Sequence, residues 1–395
     1  MRFGIVNDHF SLGPGGQHRI QNLALGLSKL GHEVLYMSPY GVSSDIFDLD
    51  VSNVSSYKSS APSKYLYPYV NDFFRILKRL SKLNRKLDLL LIELPNTMSK
   101  SLNAIYGILR NVPTSYDFGG LWTSILDRGK TYHLEKHGFR VFRPAAQFLE
   151  DILAQMSARL PDLVTVPTTG MKTILEKFLR VKAQVLLQPI DTREAFNPKL
   201  VDPIKAQLLL PEKYLREQIV MLGVKGDAWF VPWVEKLSHE IDFSDVTFLI
   251  LGSFPMAREM CIRKGLDEHV YFTGVVPNHV VPYYVSICKF ALVLTPPPLK
   301  SIWYAPHNIV KIAEYMAMGK PIITDTLAAA DYVFDGQTGF LTRNEEDLLE
   351  KTALLLQDQK LARKMGEVAR KTACEMLDQE KVAIRFIELF RKHFE

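Results

Sequence analysis

Cysteine is scarce in this 395-residue chain: Cys261, Cys288 and Cys374 stand far apart, with no CxxC pairing. That spacing argues against a disulfide framework or a zinc cluster, and for a reducing compartment. No apolar run of about 18 residues or more occurs, so no spanning helix is expected. The first residues, Met1–Val6, pass straight into a strand pattern without the charged-then-apolar order of a signal peptide. The expected location is therefore cytoplasmic. Low-complexity tracts and repeats of solenoid length are lacking as well.

An acidic surplus is also missing. The formal net charge is +5, and residues 1–200 carry the excess of Lys and Arg while the remainder is slightly acidic. An anionic acceptor or membrane surface should therefore meet the first half. A basic half without a recognition motif is too little to support nucleic-acid binding. With 47% hydrophobic and 23% charged residues, a chain of this length has enough apolar side chains for two domains.

What is present reads as alternating strands and helices. Arg2–Asn7 is a buried strand, followed by a turn with Gly13, Gly15 and Gly16 and a helix over about Gln17–Leu30. Glu33–Met37 is the next strand, completing a βαβ unit with a Gly-rich turn in the phosphate-binding position. Either Gly15 and Gly16 make a tight strand-to-helix turn, or their bare backbone admits a substrate closely. A nicotinamide cofactor does not fit, because GxGxxG is missing and the second strand ends in Met37-Ser38-Pro39 where a ribose-binding acid is needed.

The stretch 43–60 is polar and expected to be irregular. Within residues 65–87, Phe73, Phe74, Ile76, Leu77, Leu80, Leu83 and Leu87 fall on one helical face among Arg and Lys residues. Such a helix either lies on an anionic membrane at its cytoplasmic face or packs, solvated, on the first sheet. Strands continue at Leu87–Leu91, Pro113–Tyr116 and Leu163–Val166. Asp117 follows a strand end on the crevice side, where it serves as a sugar or acceptor contact or caps the next helix.

Pro203 and Pro211 in a charged stretch mark the linker, after which α/β units resume. Strands are expected at Gln218–Val224, Val246–Leu251, Val270–Thr273 and Phe290–Thr295. The stretch Ala305–Leu341 then gives a loop, a helix over about Ile309–Met318 capped by Asn308, a stop at Gly319 and a strand at Pro321–Thr324. A helix start beside strand ends is an anion site, because free N–H groups and the helix dipole point there. A nucleoside diphosphate is the expected ligand. Glu380–His393 forms a terminal amphipathic helix.

The order of these segments resembles the retaining GT-B glycosyltransferases of family four over nearly the whole chain. PGGQHRIQNLALGLSKLGHEV resembles that family's Gly-Gly loop and helix, and PDLVTVPTTGMKTILEKF with VLLQPIDTREAFNP resembles its end-of-first-domain pattern. VYFTGVVPNHVVPYYV resembles the run that shapes the base pocket. KIAEYMAMGKPIIT and DYVFDGQTGFL resemble its most diagnostic stretch. The resemblance implies an α/β GT-B fold of two Rossmann-like domains facing a central cleft. Residues 1–198 would form the acceptor-side domain, 199–378 the donor-binding domain, and 379–395 a helix returning to the first.

It also implies site residues. Glu314 matches the glutamate that binds the donor ribose, a role that a carboxylate accepting two hydroxyls fills well. Lys311 matches a basic position, Asp331 an acidic position in the following loop, and Gly15 and Gly16 a loop approaching the diphosphate or acceptor. Gly252, Val276, His307 and Asn308 complete the donor-binding set. Lys225 is the cation closest to the first strand end of the second domain, either stabilising the diphosphate or lying in a surface turn.

Two departures matter: of the Arg and Lys that the family tends to place after the first strand of the second domain only Lys225 is present, and the family's second glutamate, eight residues before Glu314, is Pro306 here. Tyr304, His307, Asn308 or backbone would have to replace it. The implied activity is metal-independent, cofactor-free transfer of a sugar from a nucleoside-diphosphate sugar. The acceptor would be a glycan, lipid-linked or small molecule, and the configuration would be retained. A GT-B-fold epimerase and a non-catalytic GT-B scaffold subunit are the alternatives.

Overall fold

The computed structural model describes residues 1–7, 16–37, 54–57, 86–93, 97–118, 158–224, 228–295, 309–325 and 327–394. These divide into two units, one of residues 1–186 with 382–395, the other of residues 187–381.

The first unit holds a parallel sheet in the order β3-β2-β1-β4-β5-β6-β7. Its strands are β1 (Arg2–Asn7), β2 (Glu33–Met37), β3 (Val54–Tyr57), β4 (Leu89–Glu93), β5 (Thr114–Asp117), β6 (Leu163–Val166) and β7 (Gln184–Val185). β4 is buried throughout, as expected for a parallel strand covered on both faces. The edge strand β3 was unexpected within the polar stretch 43–60. Its sequence, VSSY, has no apolar alternation, and it is ordered by pairing with β2, Val54 opposite Val34. Helix Thr97–Arg110 was not expected either, although Met98, Leu102, Ile105 and Leu109 recur three and four positions apart in its sequence.

One face of this sheet is covered by helix Gly16–Lys29, through Ile20, Leu23 and Leu27, and by helix Gln379–Phe394, through Val382, Phe386 and Phe390. The apolar residues of each recur three or four positions apart, so they share one stripe. Phe386 is fully buried, 6.4 Å from the Phe3 ring, a burial of the kind that contributes about 2–3 kcal/mol. The expected return of the terminal helix to the first domain is thus observed.

The second unit has a parallel sheet in the order β10-β9-β8-β11-β12-β13. Its strands are β8 (Gln218–Gly223), β9 (Val246–Ile250), β10 (Val270–Phe272), β11 (Phe290–Val293), β12 (Ile322–Thr324) and β13 (Gly339–Leu341). One face packs on helix Ile309–Ala317 through Ile309, Ile312, Ala313 and Met316. The other packs on helix Val231–Glu240 through Val231, Val234 and Leu237.

The boundary between units falls after Leu186 rather than after residue 198. Ile190 and Phe196 enter the apolar core of the second unit beside Met221 and Ile309. Backbone bonds fix this segment: Ile190 N donates to Leu377 O (2.8 Å) and Gln379 N donates to Ile190 O (2.9 Å). The prolines that suggested a later linker start helix Pro203–Gln207 and a short turn instead. At the other crossing, residues 379–381 belong to the second unit and the helix joins the first from Val382.

Candidate functional site

In the second sheet the succession β8, β9, β10 runs one way and β11 begins on the other side of β8. Between β8 and β11 the order reverses, and in open parallel sheets ligands collect beyond the carboxyl ends of the strands at such a point. Three structural features meet there. Val224 follows β8, helix Ile309–Ala317 comes after β11, and the Lys311 side chain joins them by donating from Nζ to Val224 O at 2.7 Å. Gly223 ends β8 bare. A Cβ there would lie 3.3 Å from the Tyr315 ring and 3.4 Å from Leu292 O, so the glycine allows the helix to pack close to the strand.

Glu314 lies one turn along the same helix and is buried, with 8% of its surface exposed. Burial raises its pKa to about 8, against the opposing pull of the Lys311 charge. Burial also raises the Tyr315 hydroxyl well above its ordinary value, and the Glu314 charge adds to this. Among the described residues, no group donates a hydrogen bond to the Glu314 carboxylate. A buried acceptor of this kind suits a ligand that brings its own donors.

The neighbouring strand ends supply the rest of this edge. Gly252, after β9, has φ +130° and donates from its N–H to Gly274 O at 2.9 Å, tying the ends of β9 and β10 together. Val276 is half-buried beside the core. Asp325 accepts from Thr295 N at 3.0 Å, linking the ends of β11 and β12. Asp331 closes the turn Leu327–Asp331 that follows β12. The topology therefore brings Gly252, Val276, Lys311, Glu314 and Asp331 to one edge of one sheet. Gly15, Lys225, Pro306, His307, Asn308 and the basic helix within 65–87 lie outside the described residues, apart from the end of that helix stretch at 86–87.

In the first unit, Gly16 is the first residue of helix Gly16–Lys29. Asp117, expected as a sugar or acceptor contact or a helix cap, is wholly buried and engaged. Arg19 Nε donates to Oδ2 at 2.7 Å, Arg19 Nη2 to Oδ1 at 3.0 Å, and Thr165 Oγ1 to Oδ1 at 2.6 Å. Arg19 Nη2 also donates to Leu186 O at 2.7 Å. The bidentate pair fastens the first turn of the Gly16–Lys29 helix to the ends of β5 and β7. Arg19 was missed in the sequence because a single arginine on an amphipathic helix looks like a solvated charge. Its proximity to a glycine turn was the available signal.

Among the described residues no cluster of His, Cys, Asp and Glu is arranged to hold a metal. No described helix is long and apolar enough to cross a membrane.

This geometry agrees with comparison to known proteins. Residues 219–358, within the second unit, match the model of the family described as glycosyl transferases group 1. A comparison with curated protein sequences gives no match. Among solved structures, sucrose-phosphate synthase from Thermosynechococcus elongatus superposes with a TM-score of 0.69 at 15% identity, covering 100% of this chain and 99% of that one. Anabaena HepE in complex with UDP-glucose gives 0.66 at 15% identity, covering 99% and 100%. A putative UDP-N-acetylglucosamine 2-epimerase from Listeria monocytogenes gives 0.61 at 14% identity, covering 100% and 96%. The chain adopts the GT-B fold along its whole length.

Proposed function

We propose that the protein is a retaining, metal-independent glycosyltransferase that moves a sugar from a nucleoside-diphosphate sugar to a glycan, lipid-linked or small-molecule acceptor. The observation that carries this reading is the buried Glu314 carboxylate, which no described side chain supplies with hydrogen bonds, one helical turn from Lys311 at the switch point of the second sheet. A ribose offers two adjacent hydroxyls, and a carboxylate accepts both. With the ribose on Glu314, the diphosphate extends toward the start of the Ile309–Ala317 helix, where the positive end of the dipole and Lys311 offset its charge. Departure of the diphosphate is the step these groups favour, because negative charge develops there as the sugar–oxygen bond breaks. Lys225, Gly15, Gly16, His307 and Asn308 are assigned to the same donor by sequence resemblance.

The family match in the second unit favours transfer over epimerisation, although the fold is shared with an epimerase. UDP is the first nucleotide to test, since the similar Anabaena structure holds UDP-glucose. The test incubates the protein with UDP-, GDP- and ADP-sugars and follows both donor consumption and its products. Transfer, or slow donor hydrolysis lost in Glu314→Ala, supports the reading. Isomerised free donor without acceptor would establish the epimerase instead, and no binding of any nucleotide would overturn both.

A further inference from the structure

The amino-terminal edge of the second sheet, opposite the strand ends described above, carries an unexpected concentration of positive charge. β11 and β12 run in register, with Ala291 opposite Ile322, so Lys289 and Lys320, the residues two before each, sit side by side. Helix Gln359–Thr372 packs over the same edge and adds Arg363 and Arg370 from one face, seven positions apart. Gly366 lies between them, and a Cβ there would collide with Gly319 O. That contact between bare backbones brings the helix down onto the turn before β12 and sets the cations around one hollow.

The hollow has a volume of about 450 Å³, within the size range of small-ligand sites. Met318, Leu355 and Ala362 give it apolar walls, and Glu367 is the one carboxylate among its described lining residues. No described residue forms an ion pair with Lys289, Lys320, Arg363 or Arg370. Arg370 is held in place by carbonyls, with Nη1 donating to Phe196 O (2.9 Å) and Ala317 O (2.6 Å) and Nη2 to Thr192 O (2.6 Å). Lys320 Nζ donates one bond, to Ser286 O at 2.8 Å, and an ammonium has three protons to give. Burial lowers the Lys320 pKa to about 8, and the neighbouring Lys289 acts in the same direction. An ordinary surface lysine does not explain this, because Lys320 is half-buried and has no described carboxylate in exchange.

We propose that this hollow is a second anion site that binds a small phosphate-bearing molecule, its phosphate held among Lys289, Lys320 and Arg363 and its body against the apolar walls. The site is separate from the donor edge: it lies at the carboxyl end of helix Ile309–Ala317, whereas Lys311 and Glu314 occupy the first two turns. A multiply charged phosphate offsets several cations at once, which a single carboxylate cannot.

The experiment titrates the full-length protein, saturated with UDP to fill the donor site, with glucose 6-phosphate and separately with inorganic phosphate, by calorimetry at pH 7. Saturable binding of glucose 6-phosphate is expected, weakened at least tenfold in the Lys289→Ala/Arg363→Ala variant while UDP affinity is unchanged. Both replaced residues are exposed, so the variant should fold. Weaker binding of inorganic phosphate than of the ester would confirm that the walls contact the body. Absence of saturable binding at millimolar ligand, or equal binding by the variant, would overturn the proposal. If the protein does not bind UDP at all, the same titrations without UDP still test this site, so the two failures are distinguishable.

Discussion

If Glu314 holds the donor ribose as proposed, its ionisation should make donor affinity depend on pH in a defined direction. Its pKa is raised from 4.5 to about 8 by burial, so below pH 8 most of the ligand-free protein carries a neutral carboxyl there. Two ribose hydroxyls donate best to the charged carboxylate, and hydrogen bonding to a charged form favours that form. Donor binding should therefore draw the proton off. Between pH 6 and pH 8 the ionised fraction rises from about one in a hundred to about one half, a gain in affinity of about 50-fold, or about 2.3 kcal/mol at 1.36 kcal/mol per unit. Above pH 8 the affinity should level off. Calorimetry with UDP-glucose from pH 6 to 9, in buffers of different ionisation enthalpy, measures both the affinity and the released proton. UDP-glucose is the suitable probe because its diphosphate, esterified at both ends, does not titrate in this range. Glu314→Gln should bind more weakly at pH 8 by a factor of about 10–100, the loss of a charge-assisted hydrogen bond, and show no slope. A flat wild-type profile, or an equal slope in the Gln variant, would refute the argument. The unliganded protein should show the complementary trend. A carboxyl whose folded pKa is raised gives stability that is complete below its unfolded pKa and is lost as pH rises through 8. Glu314→Gln should consequently raise the melting temperature at pH 9 relative to wild type.

Other expectations follow from the packing and the proposed chemistry. Arg19→Met leaves the Asp117 charge buried without its bidentate partner, and should cost about 3–5 kcal/mol of stability; a midpoint of unfolding within a degree of wild type would contradict this. Gly366→Ala drives a methyl into Gly319 O and should destabilise the second unit by about 1–3 kcal/mol, visible as faster amide exchange in helix Gln359–Thr372; unchanged exchange would count against it. Transfer activity should survive EDTA without loss, and recovery only on adding a divalent cation would reverse the metal-independent reading.

Much of the second unit was legible in the chain because its strands are short apolar runs bounded by glycine or proline. Phe290–Val293 and Ile322–Thr324 needed no tertiary information beyond that, and Gly319 ended the helix between them as expected. Glu314 was legible through its neighbours, since Ile309, Ile312, Ala313 and Met316 define the buried face beside which it lies. The first unit was less legible where order comes from long-range pairing. β3 has no pattern of its own, and the boundary near Leu186 depends on Ile190 and Phe196 choosing the second core, a preference that local composition does not encode. Asp117 shows the same limit: its position after a strand is visible, but its partner Arg19 is 98 residues away.

The terminal helix has a consequence for how the protein is made. The second unit is one unbroken stretch of chain, whereas the first lacks part of its apolar cover until Val382–Glu395 has been synthesised. Phe3, Ile5 and the buried side of helix Gly16–Lys29 face Phe386 and Phe390 in the finished core. On the ribosome these early residues must wait for Val382–Glu395 to emerge, so the later-made unit can complete its core before the earlier one. Ribosome release close to residue 381 would leave that sheet with an open apolar face, the kind of surface that holding chaperones bind.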